Sequence, residues 1–221
     1  MKRLLDVALA GVGLVVAAPV IAACAVAIKL DSPGPVMFRH ERVGRGKKRI
    51  ETLKLRTMTT DASRTGSPIT AGQDPRITRV GRWLRKTKLD ELPQLWNVVR
   101  GDMSIVGPRP EVPRFVEQYD ARWQPVFDVR PGLTDLASIT FRDEEGVLAL
   151  ARDHERAYRQ VIMPLKLELA VEGVQRMSVV NDLLIIARTL GALFGLQSPR
   201  QAAVLAEARR RIHELEAHDV R

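Results

Sequence analysis

This sequence has little that would support a disulfide scaffold, a zinc site or a nucleic-acid interface. A single cysteine, Cys24, occurs in 221 residues, so no disulfide framework can form within the chain. The four histidines, His40, His154, His213 and His218, show no zinc-ligand spacing, and no second thiol assists them. Aromatic residues make up 5%, and no groove-reading or base-stacking motif accompanies the basic stretches, which argues against a nucleic-acid partner. Overall disorder is excluded by 45% hydrophobic against 28% charged residues. The length suits one domain with a short appendage, not two full domains.

The most informative absence is local. From Val7 to Ile28 the chain reads VALAGVGLVVAAPVIAACAVAI, 22 residues without a charge. At about 1.5 Å per residue this run is long enough to cross a hydrocarbon core of roughly 30 Å. Polar positions at helical period, expected of a core helix in a soluble protein, are missing, so membrane contact follows. Three membrane readings compete. A processed leader would use Lys2 and Arg3 as its basic start and Ile21-Ala22-Ala23-Cys24 as a lipoprotein-like site, but the apolar run continues past Cys24 and Asp6 stands at its beginning. A simple spanning helix is the plain alternative. Positive residues at both flanks (Lys2 and Arg3 before, Lys29 and a basic stretch after) suit instead a segment that enters and returns. Pro19 near the middle of the run removes a backbone hydrogen bond and favours a kink.

Asp31-Ser32-Pro33-Gly34-Pro35 stops the apolar helix. Residues 36–43 and 49–57 then flank Gly44-Arg45-Gly46-Lys47-Lys48, which predicts a β-hairpin with a basic tip. Between Arg39 and Arg56 eight basic residues face two Glu. Residues 59–75 are polar and rich in turn formers, the pattern of a mobile loop. Residues 76–88 carry six basic residues and no acid, with Ile77, Val80 and Leu84 on a separate face. This predicts a basic amphipathic helix fit for an anionic membrane surface or a phosphate site, with a merely solvated face as the alternative. Residues 135–155 reverse the sign, six acids against two arginines. Asn181 to Phe194 is a second apolar helix, too short to span easily. From Pro199 a last helix carries Val204, Leu205, Ala208, Ile212 and Leu215 on one side, to pair with a second copy or lie on the membrane.

Chemistry concentrates between Lys88 and Pro110. Thr87 is placed to cap a helix whose first turn holds Asp90, Glu91 and Pro93, and a helix N-terminus attracts phosphate. Paired carboxylates beside a basic helix are an unusual mixture: one can act as nucleophile while the other helps bind a divalent cation. The plain alternative is an ordinary acidic first turn, and Asp143-Glu144-Glu145 is a second instance of the dipeptide. In Ile105-Val-Gly-Pro-Arg-Pro-Glu111 two prolines hold Arg109 in an extended loop, ready to clamp a phosphate or simply exposed in a turn. Arg130-Pro-Gly-Leu-Thr134 is a similar turn presenting Arg130 and Thr134.

Taken in order, KRLLDVALA with Pro19, KLDSPGPVMFRHERVGR, LKLRTM, ITRVGRWLRKTKLDELPQLWNVVRGDMSIVGPRPE and RPGLTD resemble the bacterial sugar transferase family, the monotopic phosphoglycosyl transferases that act on polyprenyl phosphate. The resemblance runs from Lys2 to about Leu193, and the LDELPQLWNVVRGDMSIVGPRP block is its most specific part. It implies an α+β, mostly helical fold: a re-entrant membrane helix over 1–30, a catalytic domain with a small β-hairpin over 31–197, and a helical tail over 198–221. Amphipathic helices would lie on the cytoplasmic face of the bacterial inner membrane, in contact with its lipid.

The resemblance also implies a ping-pong transfer. Asp90 would attack the sugar-bearing phosphorus of a UDP-sugar and release UMP, and the phosphosugar would pass to undecaprenyl phosphate, starting a polyprenyl-linked glycan. Glu91 would assist through Mg²⁺, while Arg85, Arg109 and Arg130, with Lys54 or Arg56, would contact phosphates. Two departures stand out. Ala18 replaces the Ser that many members place before the kinking proline, and Asp135 replaces the last Gly of the common RPGxTG pattern, a change that allows a different sugar preference.

Overall fold

The computed structural model describes residues 1–62, 69–72 and 74–218. Helix α1 (Lys2–Asp31) is followed by strands β1 (Met37–Val43) and β2 (Arg49–Leu55), then α2 (Arg79–Thr87), α3 (Gln94–Arg100) and β3 (Ser104–Val106). After α4 (Pro113–Val116) come β4 (Gly132–Thr134), α5 (Leu136–Thr140), α6 (Glu144–Leu148) and α7 (His154–Ala157). A π-helical turn over Tyr158–Ile162 leads into α8 (Met163–Gln175), then α9 (Val179–Leu193) and α10 (Pro199–His218). The fold is mostly helical with two small sheets: the antiparallel β1–β2 hairpin and the parallel pair β3–β4. The mobile loop expected over 59–75 falls partly on residues 63–68 and 73, which lie outside the described residues.

Helix α1 runs through Pro19 without an intervening turn. Both of its ends are tied to the rest of the molecule. At the start, Lys2 pairs with Asp182 of α9 at 2.6 Å, and Arg3 donates to the carbonyls of Val98 and Val99 at 2.6 and 2.9 Å, satisfying the end of α3. Asp6 accepts from Ser104 Oγ at 2.8 Å and from Ile105 N at 3.1 Å. At the other end, Asp31 accepts from Val80 N at 3.0 Å, while Cys24 and Ile28 pack with Leu55 and Leu84. The remaining flank exposes Leu4, Val12, Val15, Val16, Val26 and Leu30 to solvent. Helix α9 likewise exposes Val180, Leu183, Leu184 and Leu190, and Trp83 and Trp96 project from α2 and α3.

The main core gathers around α8, where Phe115, Trp123, Phe127, Phe141, Leu148, Tyr158 and Ile162 meet. The apolar stripe of α10 joins this same cluster through the fully buried Ala208 and Ile212, so the final helix packs on its own domain. Arg200 of α10 reinforces the packing with a forked pair to Glu172 on α8.

Candidate active site

Helix α2, expected from the sequence over residues 76–88, runs from Arg79 to Thr87. Thr78 is its cap, accepting from Gly81 N at 3.0 Å. Gly81 lets the helix press against the strand extension, since a Cβ there would lie 2.0 Å from the Thr57 carbonyl oxygen. The expected capping role of Thr87 is therefore corrected: Thr87 is the last residue of α2, and its hydroxyl donates back to the Trp83 and Leu84 carbonyls at 2.9 and 3.1 Å. Lys88 closes the helix in the left-handed region with φ 60°. Asp90 and Glu91 follow in a tight 3₁₀ turn, Leu89–Glu91, ahead of Pro93 and α3.

That turn is anchored on both sides. Leu84 and Leu89 pack with the end of α1, while Leu95 and Val98 of α3 pack with Ala10 and Met103. Asn97, completely buried, accepts from Leu53 N at 2.9 Å and donates to the Glu51 carbonyl at 2.6 Å. This amide stitches α3 to the edge of β2 and so fixes Lys54 relative to the acidic turn.

The two carboxylates have opposite surroundings. Glu91 accepts from Lys54 Nζ at 3.0 Å and from both terminal nitrogens of Arg109, one of them at 3.0 Å. Arg109 and Lys54 hold its carboxyl well below the ordinary glutamate value, overcoming the opposing effect of burial. Asp90 has no such clamp. It is 6% exposed, and its Oδ1 is buried without a hydrogen-bond partner. Burial, aided by the Glu91 charge, raises its pKa, with Lys54 opposing.

Arg109 is aimed by the crossing of two proline- and glycine-rich loops. Gly107 N donates to Thr134 O at 3.1 Å and Gly132 N to Pro108 O at 2.9 Å, extending the β3–β4 pairing. A Cβ on Gly132 would lie 2.1 Å from Gly107 N, so the approach requires glycine. Asp135 caps α5 by accepting from Ser138 N at 2.7 Å and also faces Arg109 N at 3.4 Å. The residue that departs from the RPGxTG pattern thus supports the loop that carries Arg109.

The other expected phosphate contacts are placed differently. Arg85 donates to Glu145 Oε1 at 2.9 and 2.5 Å and to Thr70 Oγ1 at 2.8 Å, which gives the second acidic dipeptide a partner. Arg56 donates to the carbonyls of Pro33 and Ser32, holding the segment that ends α1. Arg130 donates to Gly101 O at 2.9 Å. Lys54 and Arg109 are thus the two expected cations that directly bond Glu91, and Pro19 sits inside α1.

Sequence reasoning missed His40, Arg42, Glu111 and Tyr158. Arg42 bonds Glu111 Oε1 at 3.1 Å, and the Tyr158 hydroxyl donates to the other Glu111 oxygen. Alternation along β1 was the available signal for His40 and Arg42, because one face carries Phe38, His40 and Arg42. A cavity of about 2160 Å³ joins these groups: it is lined by Lys54, Asp90, Glu91 and Arg109 and by Leu9, Val12 and Val16 of α1. Among the described residues, no group of three or more His, Cys, Asp or Glu is gathered around a metal position. Mg²⁺ takes only one or two carboxylates and fills its shell with water and phosphate oxygens, so the Asp90–Glu91 pair with its unpartnered oxygen fits such an ion.

Residues 1–195 match the model of the bacterial sugar transferase family. A UDP-glucose:undecaprenyl-phosphate glucose-1-phosphate transferase of Caulobacter vibrioides is 40% identical over 197 residues, covering 87% of this chain and 69% of the relative. A UDP-N-acetylgalactosamine-undecaprenyl-phosphate N-acetylgalactosaminephosphotransferase of Aeromonas hydrophila is 37% identical over 194 residues, 86% of this chain and 43% of the relative. An Escherichia coli UDP-glucose:undecaprenyl-phosphate glucose-1-phosphate transferase is also 37% identical over 194 residues, 86% of this chain and 39% of the relative. The chain thus spans between about four-tenths and seven-tenths of the length of these relatives. With a family match over nearly nine-tenths of its length, the chain belongs to the bacterial sugar transferase family.

Proposed function

We propose that this protein transfers a sugar 1-phosphate from a UDP-sugar to undecaprenyl phosphate through a covalent intermediate on Asp90. The observation that carries the reading is the contrast at the acidic turn: Asp90 keeps a buried oxygen without a partner beside a Glu91 that two cations hold ionised. An ionised Asp90 oxygen attacks the sugar-bearing phosphorus, and the bond from that phosphorus to the bridging oxygen breaks, releasing UMP. An oxygen of undecaprenyl phosphate then attacks the same phosphorus, the bond to Asp90 breaks, and the carboxylate is restored. Both nucleophiles are already anionic, so neither step needs a general base. Arg109 and Lys54 hold Glu91 and present positive charge to the phosphates. Glu91, with Asp90, would hold Mg²⁺, which when bound offsets phosphate charge.

The cavity supports two substrates meeting. Its volume of about 2160 Å³ exceeds the roughly 300–1,000 Å³ of an ordinary small-molecule pocket, and its lining passes from charged groups to the apolar residues of α1. Membrane seating follows from the same helix. A straight span would carry one end of α1 far from the domain, yet Lys2, Arg3 and Asp6 at one end and Asp31 at the other all bond it. We therefore read α1 as re-entrant, with the domain on the cytoplasmic face of the inner membrane and Trp83 and Trp96 at the interface.

Purified protein in undecaprenyl-phosphate-containing membranes, offered a panel of UDP-sugars with Mg²⁺, is expected to release UMP with at least one of them and to lose the reaction on chelation. Full turnover by Asp90→Asn would remove the nucleophile assignment. A tag at the N-terminus reachable only from the periplasm would remove the re-entrant topology.

A further inference from the structure

The hairpin face that carries Lys54 also carries a histidine that the transfer chemistry above leaves unused. Lys54 stands opposite Phe38 in the β1–β2 register and His40 opposite Thr52, so Phe38, His40, Arg42 and Lys54 share one face. His40, Arg42 and Lys54 line the same cavity as Asp90, Glu91 and Arg109. His40 Nδ1 lies 3.2 Å from an Arg42 guanidinium nitrogen. A guanidinium nitrogen can only donate, so Nδ1 accepts, and the proton of the neutral ring resides on Nε2. Burial and the charges of Arg42, Lys54 and Arg109 push the His40 pKa down to about 3, which keeps the ring neutral in the working range. The ring is half-buried, and no described residue bonds Nε2.

The neighbouring cations are already engaged: Lys54 and Arg109 with Glu91, and Arg42 with Glu111. Nε2–H is therefore a free donor of zero net charge in a strongly cationic wall. Such a donor can hold an oxygen of an anionic group without becoming another ion-pair partner for Glu91.

We propose that His40 is a substrate-binding residue whose Nε2–H donates to a phosphoryl oxygen of the sugar phosphate that passes through Asp90. The proposal rests on the transfer reading and names a further contact of the same site. A phosphoryl oxygen is the acceptor that both half-reactions have in common, so loss of the contact slows each of them.

The test compares His40→Phe, His40→Gln and His40→Asn in the full chain, with UMP release and thermal stability measured together. Phe keeps the ring volume and removes the donor; the expected result is a fall of about 10- to 100-fold in kcat/KM, the range of a hydrogen bond to a charged group. Gln can place an amide N–H near the position of Nε2 and is expected to recover most of the loss, whereas the shorter Asn is not. Wild-type kcat/KM in His40→Phe would overturn the proposal. Equal losses in all three variants, each tracking a lowered Tm, would overturn it in favour of a packing role. A wild-type protein that releases no UMP from any UDP-sugar would overturn the transfer reading itself, and this contact with it.

Discussion

Two aspartates are buried to almost the same degree, and their surroundings could hardly differ more. Asp6, in the first turns of α1, is 5% exposed, and both its oxygens are occupied, by Ser104 Oγ and Ile105 N. Asp90, in the turn between α2 and α3, is 6% exposed and keeps Oδ1 without a partner. Burying a carboxylate costs free energy unless its lone pairs are satisfied. Asp6 meets that condition and acts as a fastener between the long apolar helix α1 and β3. Asp90 does not meet it, and a buried carboxylate oxygen left without a hydrogen bond calls for an explanation such as a ligand or a reaction. Exposure alone does not separate the two residues; hydrogen-bond accounting does.

The sharpest way to break this contrast is at Asp90. Asp90→Asn is expected to lower sugar-phosphate transfer by at least about 10³-fold, since the nucleophile is gone. Its Tm at neutral pH is expected to equal or exceed that of the parent, because a buried charge with a raised pKa has been neutralised. Loss of both activity and fold would place Asp90 with Asp6 as a structural residue.

Next in size is Glu91→Gln. It leaves Lys54 and Arg109 without their carboxylate, and breaking a buried ion pair costs about 3–5 kcal/mol. Denaturant unfolding is expected to show that loss together with a lower kcat. Asp6→Ala is smaller and of a different kind. It strands Ile105 N, a loss of about 1–3 kcal/mol, while Ser104 Oγ keeps the Val106 carbonyl as an acceptor and the transfer rate per folded molecule holds.

The smallest expected effect is a pH signature. The raised pKa of Asp90 means that the folded state holds this proton more tightly than the unfolded chain does. Its contribution to stability is fully present below the unfolded value and is lost as pH rises through the folded one. The Tm advantage of Asp90→Asn is therefore expected to shrink as the medium is acidified. Glu91 has the opposite sign: its depressed pKa contributes stability above the unfolded value, lost as pH falls through the folded one. Transfer by the parent protein is expected to fall on the acid side with a midpoint above the ordinary aspartate value of about 3.9.

Much of this arrangement was legible in the residues. The uncharged run of α1, the hairpin around Gly44–Lys48, the basic helix and the Asp90–Glu91 pair all carry local patterns, and local patterns survive into the fold. The assignments that required long-range geometry were less accessible. Thr87, placed by the sequence as the cap of the acidic turn, ends α2 instead, and Thr78, which the sequence reading did not single out, is the cap of α2. Lys54 lies on β2 and Arg56 just beyond its end, yet one reaches Glu91 and the other holds the Pro33 segment. Lys2, Arg3 and Asp6 read as the flank of a membrane helix, but their partners lie about 95 to 180 residues away in sequence. His40 was visible only as an isolated histidine until its strand neighbours placed it beside Arg42.

The most direct measurement is the intact mass of the protein after exposure to a UDP-sugar, Mg²⁺ and membrane without undecaprenyl phosphate. The expected result is a gain of one sugar phosphate, mapped by peptide analysis to Asp90, lost on addition of undecaprenyl phosphate and absent from Asp90→Asn. No adduct without undecaprenyl phosphate in a protein that transfers once it is supplied, or an adduct that persists in Asp90→Asn, would contradict Asp90 as the covalent centre.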